Sequence, residues 1–109
     1  MHKLAITILG RVDDSQPGWV ECVLTDASGH THIFREKAPV VSSEALGAAT
    51  AYPHAGCIAC EILSRRPDER GRELVTVSTE KPWGCESTDG TTVFEVFHAQ
   101  LTTEPDGAS

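Results

Sequence analysis

Residues 53–63 of this chain read Pro53-His54-Ala55-Gly56-Cys57-Ile58-Ala59-Cys60-Glu61-Ile62-Leu63. The stretch can be interpreted as a metal or redox motif, because His-x-x-Cys-x-x-Cys offers three ligand side chains. It can also be interpreted as a half-buried strand, because Ile58, Cys60 and Ile62 alternate with the residues between them. In a strand, the odd spacing of Cys57 and Cys60 sends their side chains to opposite faces. We favour the strand, with Cys60 facing the core and Cys57 facing outward.

A zinc centre is the alternative interpretation of the same stretch. A structural zinc site needs about four ligands in a tetrahedral arrangement. The chain offers His54, Cys57, Cys60 and, further along, Cys85. A redox dithiol fits less well, because its reactive thiol depends on a helix N-terminus and no helix is expected after Cys57. The favoured interpretation needs no cofactor.

The cysteines then act mainly as packing residues. A free cysteine in a reducing compartment is usually a small buried apolar side chain. Cys22 and Cys60 suit that role, since apolar residues flank each of them two positions away on both sides. Cys57 and Cys85 are predicted to be exposed thiols.

The rest of the chain consists of short alternating segments separated by turn residues, a pattern typical of a sandwich or a small barrel. The predicted strands are residues 3–12, 19–25, 30–36, 57–65, 72–79 and 91–101. Residues 42–51 are rich in Ala and begin with candidate N-caps, which predicts one or two helical turns. Tyr52-Pro53 ends this segment, because the residue before a proline is pushed away from the helical region.

The clearest hairpin joins residues 19–25 to residues 30–36 through a short connection that contains Gly29. A four-residue loop would place Ile33 beside Cys22, whereas a bulged loop would place Phe34 there. A slip of one residue exchanges the two faces of the whole strand. The sequence therefore leaves the register of this hairpin open.

These elements predict an all-β fold, a small antiparallel barrel or sandwich of about six strands with one short helical segment. We favour the barrel, because closing a sheet removes exposed edges that invite aggregation. Residues 1–101 are predicted to form a single domain. Residues 102–109 have nothing apolar to bury and are predicted to be a disordered tail.

Size and charge argue against some classes of protein, among them nucleic-acid-binding and membrane-spanning proteins. The chain has 109 residues, and 16 acidic against 9 basic side chains give a net charge of −7. Such a chain repels nucleic acid unless its cations cluster, and the arginines within residues 65–72 are interspersed with acidic residues. No apolar run approaches the roughly 18 residues of a membrane span. The short N-terminal apolar run lacks a signal cleavage site, so we expect a cytoplasmic protein.

Catalytic motifs are missing from the sequence. It contains no Gly-x-Ser-x-Gly elbow, no phosphate-binding glycine loop and no His-Glu-x-x-His. His30 and His32 share a strand face and could chelate a metal with His98 or Glu21, although solvent-facing polar residues beside a turn are the commoner case. A small hydrolase would need His98 or His54 near a carboxylate. We expect that the protein is not an enzyme.

The loop at residues 81–90 carries the strongest sign of a binding surface. Trp83 stands between Pro82 and Gly84, and tryptophan is a favoured interface anchor because it buries a large area at low entropic cost. The predicted surface consists of Trp83, Trp19, Tyr52, Glu86 and Asp89. The alternative is that Trp83 folds back as a lid over the core.

The same loop carries a resemblance. Tyr52-Pro53, the Cys/Ile strand, Pro82-Trp83-Gly84-x-Glu86-Ser87-Thr88-x-Gly90 and Phe94-Glu95-Val96 together resemble a group of short bacterial proteins to which no activity is attached. The resemblance covers roughly residues 50–101. It implies a bacterial single-domain protein and no catalytic residues.

The sequence as a whole predicts a small acidic binding module that engages another protein, with an immunity or inhibitor protein against a basic toxin or nuclease as its specific form. The alternative is a zinc-binding module that uses His54, Cys57, Cys60 and Cys85. The identity of the partner and the oligomeric state stay open.

Overall fold

The computed structural model describes residues 2–12, 18–42, 51–81 and 83–103. Within them lie seven strands, one helical turn and one 3-10 turn. The elements are β1 (His2–Arg11), β2 (Trp19–Thr25), β3 (Thr31–Lys37), α1 (Ala38–Val41), β4 (His54–Pro67), β5 (Glu73–Ser78), β6 (Val93–Phe97), the 3-10 turn (His98–Gln100) and β7 (Leu101–Thr103).

The strands form one antiparallel sheet in the order β3-β2-β1-β4-β5-β6, and the short β7 also pairs with β1. The sheet curls into a half-barrel. The predicted all-β class, the antiparallel pairing and the barrel-like curvature are therefore confirmed. None of the helical segments among the described residues has the length and apolar character needed to cross a membrane.

β1 is the central strand, and its alternation decides where the core lies. Leu4, Ile6 and Ile8 are buried, whereas the residues between them are exposed or partly exposed. The inner faces of the neighbouring strands supply the rest of the apolar core, including Ile58, Val77 and Val96.

β4 joins the two halves of the sheet. Its first half pairs with β1 and its second half with β5. Cys60 belongs to the buried core, whereas Cys57 lies opposite Ala5 on the other face and is partly exposed. The predicted strand and the opposite orientation of the two thiols are confirmed.

The β2–β3 hairpin adopts the bulged alternative. Cys22 pairs with Phe34, and the Phe34 side chain is fully buried. Asp26 holds the five-residue connection of residues 26–30, because its carboxylate accepts the backbone N–H groups of Ser28 and His30, each at 3.0 Å. This internal hydrogen bonding lets the loop carry the extra residue that fixes the register.

The open side of the half-barrel is bridged by backbone hydrogen bonds. The Ala27 N–H donates to the Glu95 carbonyl of β6, and the Thr88 N–H donates to the Ile33 carbonyl of β3. Phe34 and Ser87 also form an antiparallel bridge. Both edge strands are thus partly covered, which hinders their pairing with the edge strand of another chain.

Three segments depart from the predicted elements. The single strand predicted at residues 91–101 is divided by the 3-10 turn into β6 and β7. The helical turn α1 begins at Ala38, with Pro39 in its first turn, where proline is tolerated. The helix predicted at residues 42–51 lies mainly outside the described residues. Thr102 and Thr103, assigned to the tail from the sequence, belong to β7, and residues 104–109 lie outside the described residues.

Candidate functional site

A cleft of about 330 Å³ lies between the edge of β3 and the chain that follows Trp83. Its walls come from the start of β2, the end of β3 and the long loop between β5 and β6. The lining residues are Trp19, Arg35, Glu36, Gly84, Glu86, Ser87 and Thr88.

The first half of the β5–β6 loop is held by Thr79, which is fully buried. Its Oγ1 donates to the Cys85 carbonyl at 2.6 Å, and its own carbonyl accepts the Cys85 N–H at 2.9 Å. The Thr79 N–H donates to the Thr92 carbonyl at 2.9 Å. The base of the loop is therefore closed by backbone and side-chain hydrogen bonds together.

The second half of the loop is held by Asp89, which the sequence assigns to the binding surface. Its Oδ1 accepts hydrogen bonds from the hydroxyls of Ser87 and Thr91. The Thr91 N–H donates to the Ser87 Oγ at 3.1 Å. The hydrogen bonds from Ser87 and Thr91 lower the pKa of Asp89 below its ordinary value. Asp89 is exposed, and its contacts shape the loop.

Trp83 stands at the tip of this loop and is 62% exposed. The Gly84 N–H donates to the Glu80 carbonyl at 2.7 Å, and Gly84 has a φ of 66°, a conformation that glycine adopts without strain. The turn therefore holds Trp83 on the surface beside Gly84 of the cleft. Trp83 therefore does not fold back as a lid over the core.

Trp19 forms another wall of the cleft and is 37% exposed. It pairs with Lys37 across the β2–β3 hairpin, and the Lys37 Nζ lies 5.8 Å from the centroid of the indole ring. That distance is near the limit for a cation–π contact. The cleft thus has an aromatic wall that is only weakly covered.

Two acidic residues, Glu36 and Glu86, are among those that line the cleft. Partial burial and the negative charge of Glu86 raise the pKa of Glu36 above its ordinary value. Arg35 lines the cleft as well, but its Nε donates to Glu21 at 3.3 Å. Within the described part of the chain, neither Glu36 nor Glu86 forms an ion pair.

Two buried thiols lie close to Glu36. Cys22 and Cys85 are both fully buried, so the prediction of an exposed Cys85 is wrong. The reason is that the Cys85 backbone is tied to Thr79, which keeps this part of the loop against the core. Burial, with the charge of Glu36, raises the pKa of each thiol to about 12. Both are neutral packing groups at physiological pH.

The structure brings together part of the predicted surface. Trp19 and Glu86 line one cleft, and Trp83 adjoins it through Gly84. Tyr52 lies elsewhere, because its ring packs against the core and its hydroxyl oxygen is buried. The sequence misses Arg35 and Glu36. A charged residue at an inward-facing strand position would have drawn attention to Glu36. Because the register of the hairpin was open, the sequence did not show which face of β3 carries Glu36.

The predicted zinc ligands are not brought together. Cys57 and Cys60 lie on opposite faces of β4. Across the ranges that the structure describes, no three His, Cys, Asp or Glu side chains form a group that could hold a metal ion.

The candidate His-x-His motif has a different partner from those expected. The Nε2 of His32 lies 2.8 Å from Asp26 Oδ2, and its ring contacts Phe94 edge to face at 4.8 Å. Partial burial by itself would raise the pKa of Asp26, but hydrogen bonds from His32, the His30 N–H and Ser28 outweigh it and lower the pKa to about 2. Asp26 and His32 therefore form a structural pair at the hairpin turn.

The arginines of the β4–β5 hairpin lie beside acidic side chains. Arg65 contacts Glu73 at 2.7 Å, and Arg66 donates two hydrogen bonds to Glu95. Arg72 contacts Asp68 at 2.8 Å. These pairs leave little net positive charge at the hairpin.

The chain was compared with known protein families, curated proteins and solved structures. No family model matches the chain, and no curated protein and no solved structure matches it.

Proposed function

We propose that this protein is a small non-catalytic module that binds another protein through the surface formed by Trp83, Trp19 and the cleft between them. The observation that carries the proposal is the exposure of Trp83 on a hydrogen-bonded loop. Exposing a large indole forgoes the apolar burial that a core position would give. An exposed tryptophan on an ordered loop is typical of an interface anchor.

The hydrogen bonding of the loop supports the proposal. Binding orders loops and side chains, and this ordering reduces the affinity that contacts can deliver. Thr79 closes the base of the β5–β6 loop and Asp89 holds its second half. A partner would therefore meet a surface whose backbone is already in place.

The charge of the chain favours a basic partner. A net charge of −7 accelerates association with a positively charged protein and slows it with an acidic one. An immunity or inhibitor protein that neutralises a basic toxin or nuclease is the specific form of this proposal. The four free cysteines fit action in the cytoplasm, where thiols stay reduced.

The test compares two exposed apolar side chains. Trp83 is 62% exposed in the β5–β6 loop, and Leu63 is 54% exposed in β4 and is not among the residues that line the cleft. A partner is captured from native cell extract on immobilised protein and purified, and its affinity is measured by calorimetry. We expect Trp83→Ala to weaken binding at least about tenfold, as truncation of an interface anchor does, and Leu63→Ala to leave it unchanged.

Stability measurements separate this outcome from misfolding. Both substitutions remove exposed side chains, so each should change the free energy of unfolding by less than about 0.5 kcal/mol. If Trp83→Ala unfolds the domain, or if both variants bind the partner as tightly as the wild type, the proposed surface is wrong.

A further inference from the structure

We propose that the partner adds an extended segment, as a short strand, to the free end of the β3 edge in the cleft beside Trp19. This inference rests on the proposed function and states how the partner is held at that surface. The chemistry that is recognised is an extended peptide backbone, whose N–H and C=O groups pair with those of β3.

The direction of the backbone groups of β3 follows from its hydrogen bonds. β3 pairs with β2 on one side, and on the other side the Ile33 carbonyl accepts the Thr88 N–H at 2.8 Å. Backbone groups alternate in direction along a strand of an antiparallel sheet. The backbone groups of Arg35 and Lys37 therefore point to the same side as that of Ile33, which is the edge of the sheet.

The β5–β6 loop covers one part of this edge and leaves another part open. It pairs with β3 at the bridge between Phe34 and Ser87, and the next pair along would place Cys85 opposite Glu36. The Cys85 N–H donates to the Thr79 carbonyl instead, at 2.9 Å. The loop therefore turns away from β3 beyond this bridge.

Two backbone groups stay open where the loop turns away. Within the described part of the chain, the Arg35 carbonyl and the Lys37 N–H form no hydrogen bond. They are an acceptor and a donor on either side of Glu36, spaced as in an antiparallel ladder. An added strand with one residue opposite Glu36 would donate to the Arg35 carbonyl and accept from the Lys37 N–H.

The cleft provides space beside these groups. It has a volume of about 330 Å³ and lies between Arg35 and Glu36 on one side and Gly84 and Glu86 on the other. Exposed strand edges bind extended peptides through main-chain hydrogen bonds. The net charge of −7 draws a basic segment toward the surface. Trp83, exposed next to Gly84, would contact side chains of the same segment.

The first experiment uses the peptide acetyl-Lys-Val-Thr-Val-Lys-amide as the probe. Its β-branched residues favour an extended conformation, and binding through the main chain tolerates many sequences. The control peptide has the same side chains and charge but a methyl group on every backbone nitrogen, so it cannot donate main-chain hydrogen bonds. At constant ionic strength, we expect the probe to shift the NMR signal of the Lys37 amide saturably and the control to leave it in place.

A pair of variants isolates the Lys37 N–H. Lys37→Pro removes this donor without straining the chain, because Lys37 has a φ of −67° and proline fixes φ at about −65°. Lys37→Ala removes the same side chain and keeps the donor. The affinity for the probe is read from the Glu36 amide signal, which both variants retain. We expect it to be at least about fivefold lower in Lys37→Pro than in Lys37→Ala, the effect of one lost hydrogen bond.

Two results would overturn the inference. One is a Lys37 signal that the probe leaves in place, or that the methylated control shifts as strongly. The other is an equal affinity of the two variants, both shown to be folded by circular dichroism. If Lys37→Pro does not fold, the comparison of the probe with its methylated control on the wild type decides.

The proposed function has a separate readout. Partner binding that is lost in Trp83→Ala but is equal in Lys37→Pro and Lys37→Ala would overturn the added strand and leave the binding module standing.

Discussion

Cys57 lies on the outer face of β4, whereas Cys22, Cys60 and Cys85 are buried in the core. Burial raises the pKa of Cys60 to about 11, and burial together with nearby carboxylates raises the pKa of Cys22 and Cys85 to about 12. The reactive species of a thiol is the thiolate. Exposure therefore separates Cys57 from the other three, which are buried.

This difference predicts the number of reactive thiols. At pH 8 we expect one of the four cysteines to react rapidly with a chromogenic disulfide reagent in the folded protein, and all four after denaturation. Cys57→Ser should abolish the rapid phase. A rapid thiol that persists in this variant would contradict the buried position of at least one of Cys22, Cys60 and Cys85.

A second prediction at this scale concerns Asp26. Its pKa is about 2 in the folded protein against an ordinary value of 3.8. A lowered pKa stabilises the folded state above the ordinary value, and this stabilisation is lost as the pH falls through the folded value. Asp26→Asn should reduce the free energy of unfolding by about 1–2 kcal/mol at neutral pH, and the gap to the wild type should close between about pH 4 and pH 2.

Urea unfolding at a series of pH values measures this gap. Glu69→Gln serves as the control, because Glu69 is exposed in a turn and its removal should leave the curve unchanged. A deficit of Asp26→Asn that stays constant down to pH 2 would mean that the carboxylate charge contributes nothing and that the effect is one of loop geometry.

At the scale of elements, α1 packs against β4 at Gly56. A Cβ atom added there would lie 2.8 Å from both the Ile8 Cδ1 atom and the Val41 carbonyl oxygen. Ile8 can adjust its side chain, but the carbonyl belongs to the backbone of α1. Gly56 is therefore a position at which the helical turn lies so close to the sheet that a side chain would not fit without a shift.

Gly56→Ala tests this contact. The substitution should cost about 1–3 kcal/mol of unfolding free energy, as overpacking of a well-packed core does. Gly10→Ala is the matched control, because a Cβ atom there would meet nothing within 4 Å. Equal stability of the two variants in chemical denaturation would show that α1 shifts freely and does not limit the packing of β4.

The elements also show what the sequence could predict. Alternation placed β1, β2 and most of β4, because a period of two follows directly from burying one face. The hairpin register depended on Asp26, whose contacts with the loop backbone are set by the loop conformation itself. The strand face of Glu36 followed from that register, so the cleft could not be assembled from the sequence. The position of Trp83 depended on the hydrogen bonds within the β5–β6 loop, such as those from Gly84 to Glu80 and from Cys85 to Thr79, which the alternation of residue types does not reveal.

At the scale of the whole molecule, one loop serves two purposes. Residues 85–88 run beside β3 and help to bridge the open side of the half-barrel, and the hydrogen bond from the Gly84 N–H to the Glu80 carbonyl closes the turn that exposes Trp83. The bridging contacts and the exposed indole thus lie in adjacent parts of one loop, and the bridging part also lines the cleft. In the proposed function, the half-barrel is the scaffold that fixes the position of the indole and of the cleft beside it.

This arrangement suggests that the exposed turn of the loop can be replaced while the rest of the loop is kept. Its two anchored ends, at Thr79 and at residues 85–92, are the parts that a protein engineer must keep. Between them lies the turn that the hydrogen bond from the Gly84 N–H to the Glu80 carbonyl closes. New sequences grafted into that turn would be displayed on the half-barrel much as a hypervariable loop is displayed on its framework, and a different partner could be selected without redesigning the fold.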